Sequence, residues 1–480
     1  MSVLKNPISL DIFEIKKIKK LRNFAPDFSW QLQYTQKYYY QLMKRRIICC
    51  AVVAMMMAQH ATAQTPQRKI TIGELFTLVE SGSKTLRMQK SGVDVSARGI
   101  EEAKSKRLPD VGASLQMSYN GNVVMTDRDF GNVKGFSQPH FGNSFALEAQ
   151  QVVYAGGAID AGIRLAELQK SMSENAVALT RNQQRFLALG QYLDLYKLDN
   201  GMKVYQSNIA LTEKLIADIN TKQQQGMALK NDVTRYELQM EQLKLGKRKL
   251  EDQKRILNHQ LCNTLGLEDV MVEPEVDLDR IGDAGVKEAD LQSTAAMQSP
   301  VIRQSALEMQ ASDQQLKLAK SEMMPKVALV ASENFMGPFT YDIPPIDNNF
   351  NVWYVGVGVR YSLSSLFKSN KTVRKAKAQQ LQSREAHAVA SERVNNDMQQ
   401  AYTIHQQAFV ELHTQQKSVE LASQNYKVMN NRYLNQLALV TDMVDASNLK
   451  LNAELQEVNA RINVAYTYYN MMYVAGNLGE

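Results

Sequence analysis

Asp442 and Asp445 lie three residues apart at the expected start of the last helix, so both carboxylates fall on one helical face. Acids in a first turn complement the helix dipole, and residue type and spacing alone favour that role. The other groups with chemical potential do not assemble. His405 falls on an apolar helical seam, with His387 and His413 on the same polar-rich helix. No His-x-x-x-His pair, Cys-His constellation, Walker motif or nucleophile elbow follows residue 63. No catalytic site, metal site or cofactor is expected, and the scattered methionines read as packing.

The elements that must position these residues begin after an export signal. Lys44, Arg45 and Arg46 precede an apolar run from Ile47 to Ala58 and then Ala61-Thr62-Ala63, the three-part pattern of a secretory leader. Residues 1–63 are therefore expected to be an upstream extension and signal peptide, with translation starting at Met43 and the mature chain at Gln64. They hold ten Lys and Arg against three acids, so the formal excess of +7 is theirs, and residues 64–480 balance at 46 against 46. A nucleic-acid partner has no basis in such a chain. Cys49 and Cys50 belong to the leader and Cys262 stands alone, which excludes a disulfide framework and marks Cys262 as a small buried residue. No later segment offers the roughly 20 apolar residues of a membrane helix, so any spanning segment must be a strand.

The chain after Gln64 reads as two halves with the same order of parts. Lys104-Ser105-Lys106-Arg107-Leu108-Pro109 is echoed by Lys320-Ser321-Glu322-Met323-Met324-Pro325, each closing a helical stretch and opening a strand. Gly226-Met227-Ala228-Leu229-Lys230-Asn231-Asp232 is echoed by Gln436-Leu437-Ala438-Leu439-Val440-Thr441-Asp442. Strict alternation over 111–120 and 352–363, with weaker partners at 143–154 and 326–335, gives four strands of membrane length. A half-buried sheet on a soluble core has the same period, and the export signal favours the membrane. The loops between paired strands, Gly121 to Gly142 and Met336 to Asn351, are rich in Gly, Asn, Asp and Pro.

Helices follow a different rule. Val394, Met398, Ala401, His405, Ala408 and their successors to Tyr433 step by four and three, and Leu451, Leu455, Val458, Ile462 and Ala465 do so on a return helix. These are coiled-coil seams, and a helix from Lys371 to Tyr433 would be roughly 95 Å long. Helical hairpins are expected near 156–265 and 367–478. Four strands cannot close a barrel in lipid, so several copies must share one; periodicity does not say how many.

The two-half order, the Pro109 and Pro325 junctions and the run Tyr433 to Ser447 resemble the TolC family of outer-membrane factors over essentially all of 64–480. The resemblance implies a mainly α fold with a β-barrel contribution. Long coiled-coil helices would form an α-barrel, joined to four transmembrane strands per protomer, with two internal repeats, in a homotrimer. It also implies an equatorial segment near 265–296. The implied function is an outer-membrane channel, the exit duct of a tripartite efflux or type I secretion system. Its partners would be outer-membrane lipid, a periplasmic adaptor (membrane fusion protein) and an inner-membrane transporter of RND, ABC or similar type. Asp442 and Asp445 would form an acidic ring at the tunnel mouth. Tyr433 and Asp232 would help hold the closed tip, although Ala438 replaces the basic gate residue of the best-known members. Gly226, Met227 and Ala228 at one turn and Leu437, Ala438 and Leu439 at the other would contact the adaptor. The rival reading is a structural coiled-coil envelope protein or adhesin stalk without a conducting lumen.

Overall fold

The computed structural model describes residues 66–268, 270–277, 287–340 and 345–479. The expected leader, 1–63, lies outside the described residues, as does 278–286 of the expected equatorial segment. The chain divides into Met1–Pro66 and Gln67–Glu480, and the description concerns the second unit.

Its elements run in two parallel series. The first half holds β1 (Gln67–Ile70), α1 (Ile72–Gly82), α2 (Lys84–Ser105), β2 (Asp110–Tyr119), short strands β3 (Val123–Met125) and β4 (Lys134–Phe136), β5 (Phe141–Tyr154), α3 (Ala158–Gln224) and α4 (Lys230–Leu265). The second holds β6 (Met271–Pro274), α5 (Glu288–Gln298), α6 (Pro300–Ser321), β7 (Lys326–Gly337), β8 (Phe350–Arg360), α7 (Ser365–Leu434) and α8 (Val440–Ala475). Corresponding helices have matching lengths: α1 and α5 have 11 residues each, α2 and α6 have 22, α3 and α7 have 67 and 70, and α4 and α8 have 36. At 1.5 Å per residue α3 and α7 are each about 100 Å long.

Local chemistry sets the boundaries. Thr71 caps α1 through Oγ1, which accepts from the Glu74 N–H at 3.3 Å, and Ser83 caps α2 likewise through the Leu86 N–H at 3.3 Å. Pro300 opens α6 at a position where its missing N–H costs nothing. Gly266 ends α4 with φ +68°, and a Cβ there would stand 3.0 Å from the Gly82 backbone, so both chain direction and close approach demand glycine.

The seam read from the sequence is the buried edge of α7: Val394, Met398, Ala401, His405 and Ala408 are all buried. On α8, Met471 and Ala475 pack against it and Thr467 meets His405, whereas Leu451, Ile462 and Ala465 are buried against α3 and its neighbours. The largest core cluster lies where α1, α3, α4 and α8 meet β1 and β6, around Tyr192, Leu189, Leu261 and Leu265. Here β1 and β6 pair in parallel, joining the start of one half to the start of the other. The Tyr192 hydroxyl donates to the Ile70 carbonyl at 2.6 Å and lies 3.0 Å from that of Glu275. Cys262 is buried in this cluster, its Sγ 3.2 Å from the Val270 carbonyl.

β2, β5, β7 and β8 form one antiparallel sheet in that order, with β2 and β8 as open edges. The registers align Leu115, Phe145 and Phe335 in one row and Val111, Ala149, Ala331 and Val355 in another, so most apolar members of the four strands share a face, with Val330, Met336, Val352 and Tyr354 on the other. Ser114, Gln116, Ser144, Glu148, Ser332 and Asn334 lie on that other face too. The apolar face is open, with Val111, Leu115, Trp353, Val355 and Val357 exposed; the edge strands are exposed on both faces, and Ala328 and Ser332 on the polar face of β7 are buried. Among the described residues no helix is long and apolar enough to cross a membrane.

Candidate functional site: the hairpin turns

Each long helix ends in the same turn. The Met227 N–H donates to the Lys222 carbonyl at 2.8 Å, and the Leu437 N–H to the Arg432 carbonyl at 2.8 Å. Both are Schellman closures around a left-handed residue, Gly226 at φ +72° and Gln436 at φ +62°. The conformation thus explains Gly226 by backbone need alone, while Gln436 holds the same shape with a side chain.

The return helices start alike as well. Asp232 Oδ2 accepts from the Leu229 N–H at 3.1 Å, and Asp442 Oδ2 accepts from the Leu439 N–H at 3.0 Å. These are the reciprocal halves of capping boxes, with leucine where a hydroxyl residue would complete them. The echo between the two turns is therefore a helix-start signal, and Asp232 and Asp442 are committed to it. Asp445 is exposed and has no ion pair among the described residues. Of the two acids expected to act together, Asp442 also caps its helix, and both are exposed.

Behind the turns, Leu215, Ile219, Val233, Tyr236, Tyr426, Val440 and Met443 form a small cluster that joins the two hairpins. Tyr433 packs against it half-buried, and the Lys222 ammonium sits 5.2 Å from the centre of its ring, a cation–π contact across the hairpins. Burial, and then the negative charge of Asp232, push the Tyr433 hydroxyl above its ordinary pKa. Tyr236 is fully buried, and its hydroxyl has no hydrogen-bond partner among the described residues. Burial is likewise the main cause that raises its pKa. Lys222 and Tyr236 escaped the sequence reading because a lone lysine and a seam tyrosine carry no spacing signal.

The turn residues divide by exposure. Ala228 and Ala438 are half-buried, Ala228 against the cluster, while Leu229, Leu437 and Leu439 are 71%, 70% and 70% exposed, and Met227 is also open. Leu229 was not singled out from the sequence, although its echo Leu439 was. His405 is buried elsewhere, its Nδ1 2.9 Å from the Thr467 hydroxyl, and His387 Nδ1 lies 2.8 Å from the Ser305 hydroxyl. Among the described residues no group of His, Cys, Asp and Glu could hold a metal ion.

The family model described as outer membrane efflux protein matches residues 291–477, which is most of the second half. No curated protein matches the chain. Solved structures match along nearly the whole described chain. The outer membrane protein VceC from Vibrio cholerae is 14% identical with a TM-score of 0.68, over 85% of this chain and 97% of its own. The Campylobacter jejuni CmeC outer membrane channel is 15% identical with a TM-score of 0.67, over 85% of each chain. The open state of the Neisseria gonorrhoeae MtrE outer membrane channel is 14% identical with a TM-score of 0.66, over 85% and 89%. The fold is that of outer-membrane efflux channels, mostly helical with a β contribution, and the resemblance to the TolC family stands. The matched family is one of channels rather than enzymes. The stalk reading finds no support: a sheet with one apolar open face and two open edges has no place in a solid coiled rod.

Proposed function

We propose that the protein is the outer-membrane exit duct of a tripartite export system, in which several copies close one barrel and one helical tunnel. The observation that carries this reading is the four-stranded sheet. Its outward face is apolar over the length of a bilayer, and its edges β2 and β8 run in opposite directions. The β8 edge of one copy is therefore suited to pair antiparallel with the β2 edge of the next, and repetition closes a barrel that leaves no edge in lipid. Three copies, as the resemblance implies, give twelve strands, enough for a wide lumen. Leu238, Leu245 and Ile256 on α4, with Val410, Leu421 and Val428 on α7, are exposed apolar residues on the flanking helices and suit contact between copies.

The hairpin turns are the proposed gate and adaptor contact. Leu229, Leu437 and Leu439, with Met227, offer an apolar surface to a periplasmic adaptor. Asp445 contributes the acidic ring, and Lys222 on Tyr433 supplies the cationic clasp that Ala438 lacks. No energy-coupling motif is present, so an inner-membrane transporter of the RND or ABC type loads the cargo and the duct conducts passively. Purified protein in planar bilayers should give stepwise conductance that rises when Lys222→Ala loosens the turns. A chain that stays out of membranes and conducts no current in either form overturns the reading.

A further inference from the structure

The outward face of the sheet is mostly apolar, with Asn143, Gln151 and Asn351 among its polar members, and it carries one charged residue. Glu333 on β7 pairs in register with Leu147 on one side and Trp353 on the other, which fixes it on that face. Of the outward-facing residues on β2, β5, β7 and β8, it is the only carboxylate. Its polar contact is with the neighbouring strand: Asn351 Nδ2 donates to Glu333 Oε1 at 3.4 Å. Trp353, 70% exposed, stands directly across the strand pair. On β8 the apolar run Val359, Val357, Val355 and Trp353 stops there, and Asn351 follows, so the water boundary of this hairpin lies within two residues of Glu333.

A carboxylate on a lipid-facing surface persists where it finds a counter-charge. The sheet supplies none, since Lys326 and Arg360 sit at the opposite end of the β7 and β8 pair and on the other face. What the face does supply is an exposed indole beside the carboxylate, and a negative oxygen next to an aromatic ring is the pairing that holds an ammonium group. We propose that Glu333, Trp353 and Asn351 form a surface site for the primary ammonium group of a membrane lipid headgroup. Charge complementarity selects this occupant. The carboxylate attracts the cation, the ring accepts it side-on, and Phe335 and Phe145 in the next row cover the first acyl carbons. The site rests on the barrel reading above, because only a sheet set in lipid presents this face to headgroups.

The test uses the full chain carrying Trp30→Phe, which leaves Trp353 as its only tryptophan. The protein is reconstituted in phosphatidylglycerol vesicles holding a trace of either brominated phosphatidylethanolamine or brominated phosphatidylglycerol, and quenching of Trp353 is compared. The amine lipid should be enriched at Trp353 by about threefold or more. Glu333→Gln should bring the ratio to unity and Glu333→Asp should keep it. Leu147→Lys places a tethered ammonium across from Glu333 and should also expel the lipid, which guards against a Glu333→Gln chain that fails to insert. Equal quenching by both lipids overturns the site but leaves the barrel standing. Quenching by neither shows that the face is not in lipid and overturns the barrel reading itself. A preference abolished by EDTA reassigns the carboxylate to a divalent ion and overturns the ammonium assignment.

Discussion

Two tyrosines on the same helical hairpin, Tyr192 and Tyr236, are both fully buried, and they are treated in opposite ways. Tyr192 lies in the belt where β1 and β6 meet the helices, and its hydroxyl reaches two backbone carbonyls. Around it Asn258 bonds the Val270 carbonyl and the Val272 N–H at 2.8 Å each, and Arg185 bonds the Leu478 carbonyl at 2.6 Å, although its buried Nε has no partner among the described residues. Tyr236 lies near the turns with its hydroxyl unpaired, in a cluster less than half as large. Satisfied buried polar groups specify one arrangement, whereas an unpaired one raises the free energy of the state that buries it. At these two positions, then, the belt holds its tyrosine hydroxyl and the tip cluster leaves its own unpaired.

Four measurements test this contrast between belt and tip. The largest effect is expected in the belt: Leu261→Ala should cost about 4 kcal/mol, against about 2 kcal/mol for Leu215→Ala in the smaller tip cluster, by denaturant unfolding. Equal losses would erase the distinction. Next come the hydroxyls. Tyr192→Phe leaves the Ile70 and Glu275 carbonyls short of a donor and should cost about 1–3 kcal/mol, whereas Tyr236→Phe removes an unpaired group and should be neutral or stabilising by up to about 1 kcal/mol.

His405 gives a third and smaller effect, in the α7 and α8 seam between the two regions. Burial lowers its pKa from the ordinary 6.5, while Thr467, Phe409 and Tyr468 face it without a compensating charge. The unfolded chain therefore takes up this proton more readily. The stabilisation is complete above about pH 6.5 and is lost as pH falls through the lowered folded value. His405→Gln should flatten the dependence of the denaturation midpoint between about pH 7 and pH 5, and an unchanged slope would assign it to other groups. The smallest effect separates the paired acids. Asp442→Asn weakens a cap and should cost about 0.5–1 kcal/mol. Asp445→Asn should leave stability unchanged and lower the cation preference of the conductance. A reversed pattern would return Asp442 to the ring.

Much of this arrangement was legible in the sequence where a period repeats long enough. The alternation around Trp353 and Val111 marks the strands and their apolar face, and the four-three steps from Val394 to Tyr433 mark a seam that is buried to Ala408 and mostly half-buried beyond it. Short or distant partnerships left no such trace. β1 and β6 are four residues each and some 200 apart, and β3 and β4 are three residues each, too short for a period. The echoed turn is plain in the sequence but its cause is not. Asp232 and Asp442 answer the N–H of a leucine rather than of a hydroxyl residue, so the usual capping signature is only half written. The orphan hydroxyl of Tyr236 could not be foreseen, since a tyrosine on a seam finds or lacks a partner only in three dimensions.

The sheet also carries a genealogical consequence. β2 and β5 come from the first series of elements and β7 and β8 from the second, and the two series join edge to edge where β5 meets β7. That seam repeats the antiparallel pairing needed between separate copies. If copies close a barrel as proposed, a gene half as long, encoding one series alone, would keep the same antiparallel order of edges, and its tandem fusion would halve the count of polypeptides without changing that order.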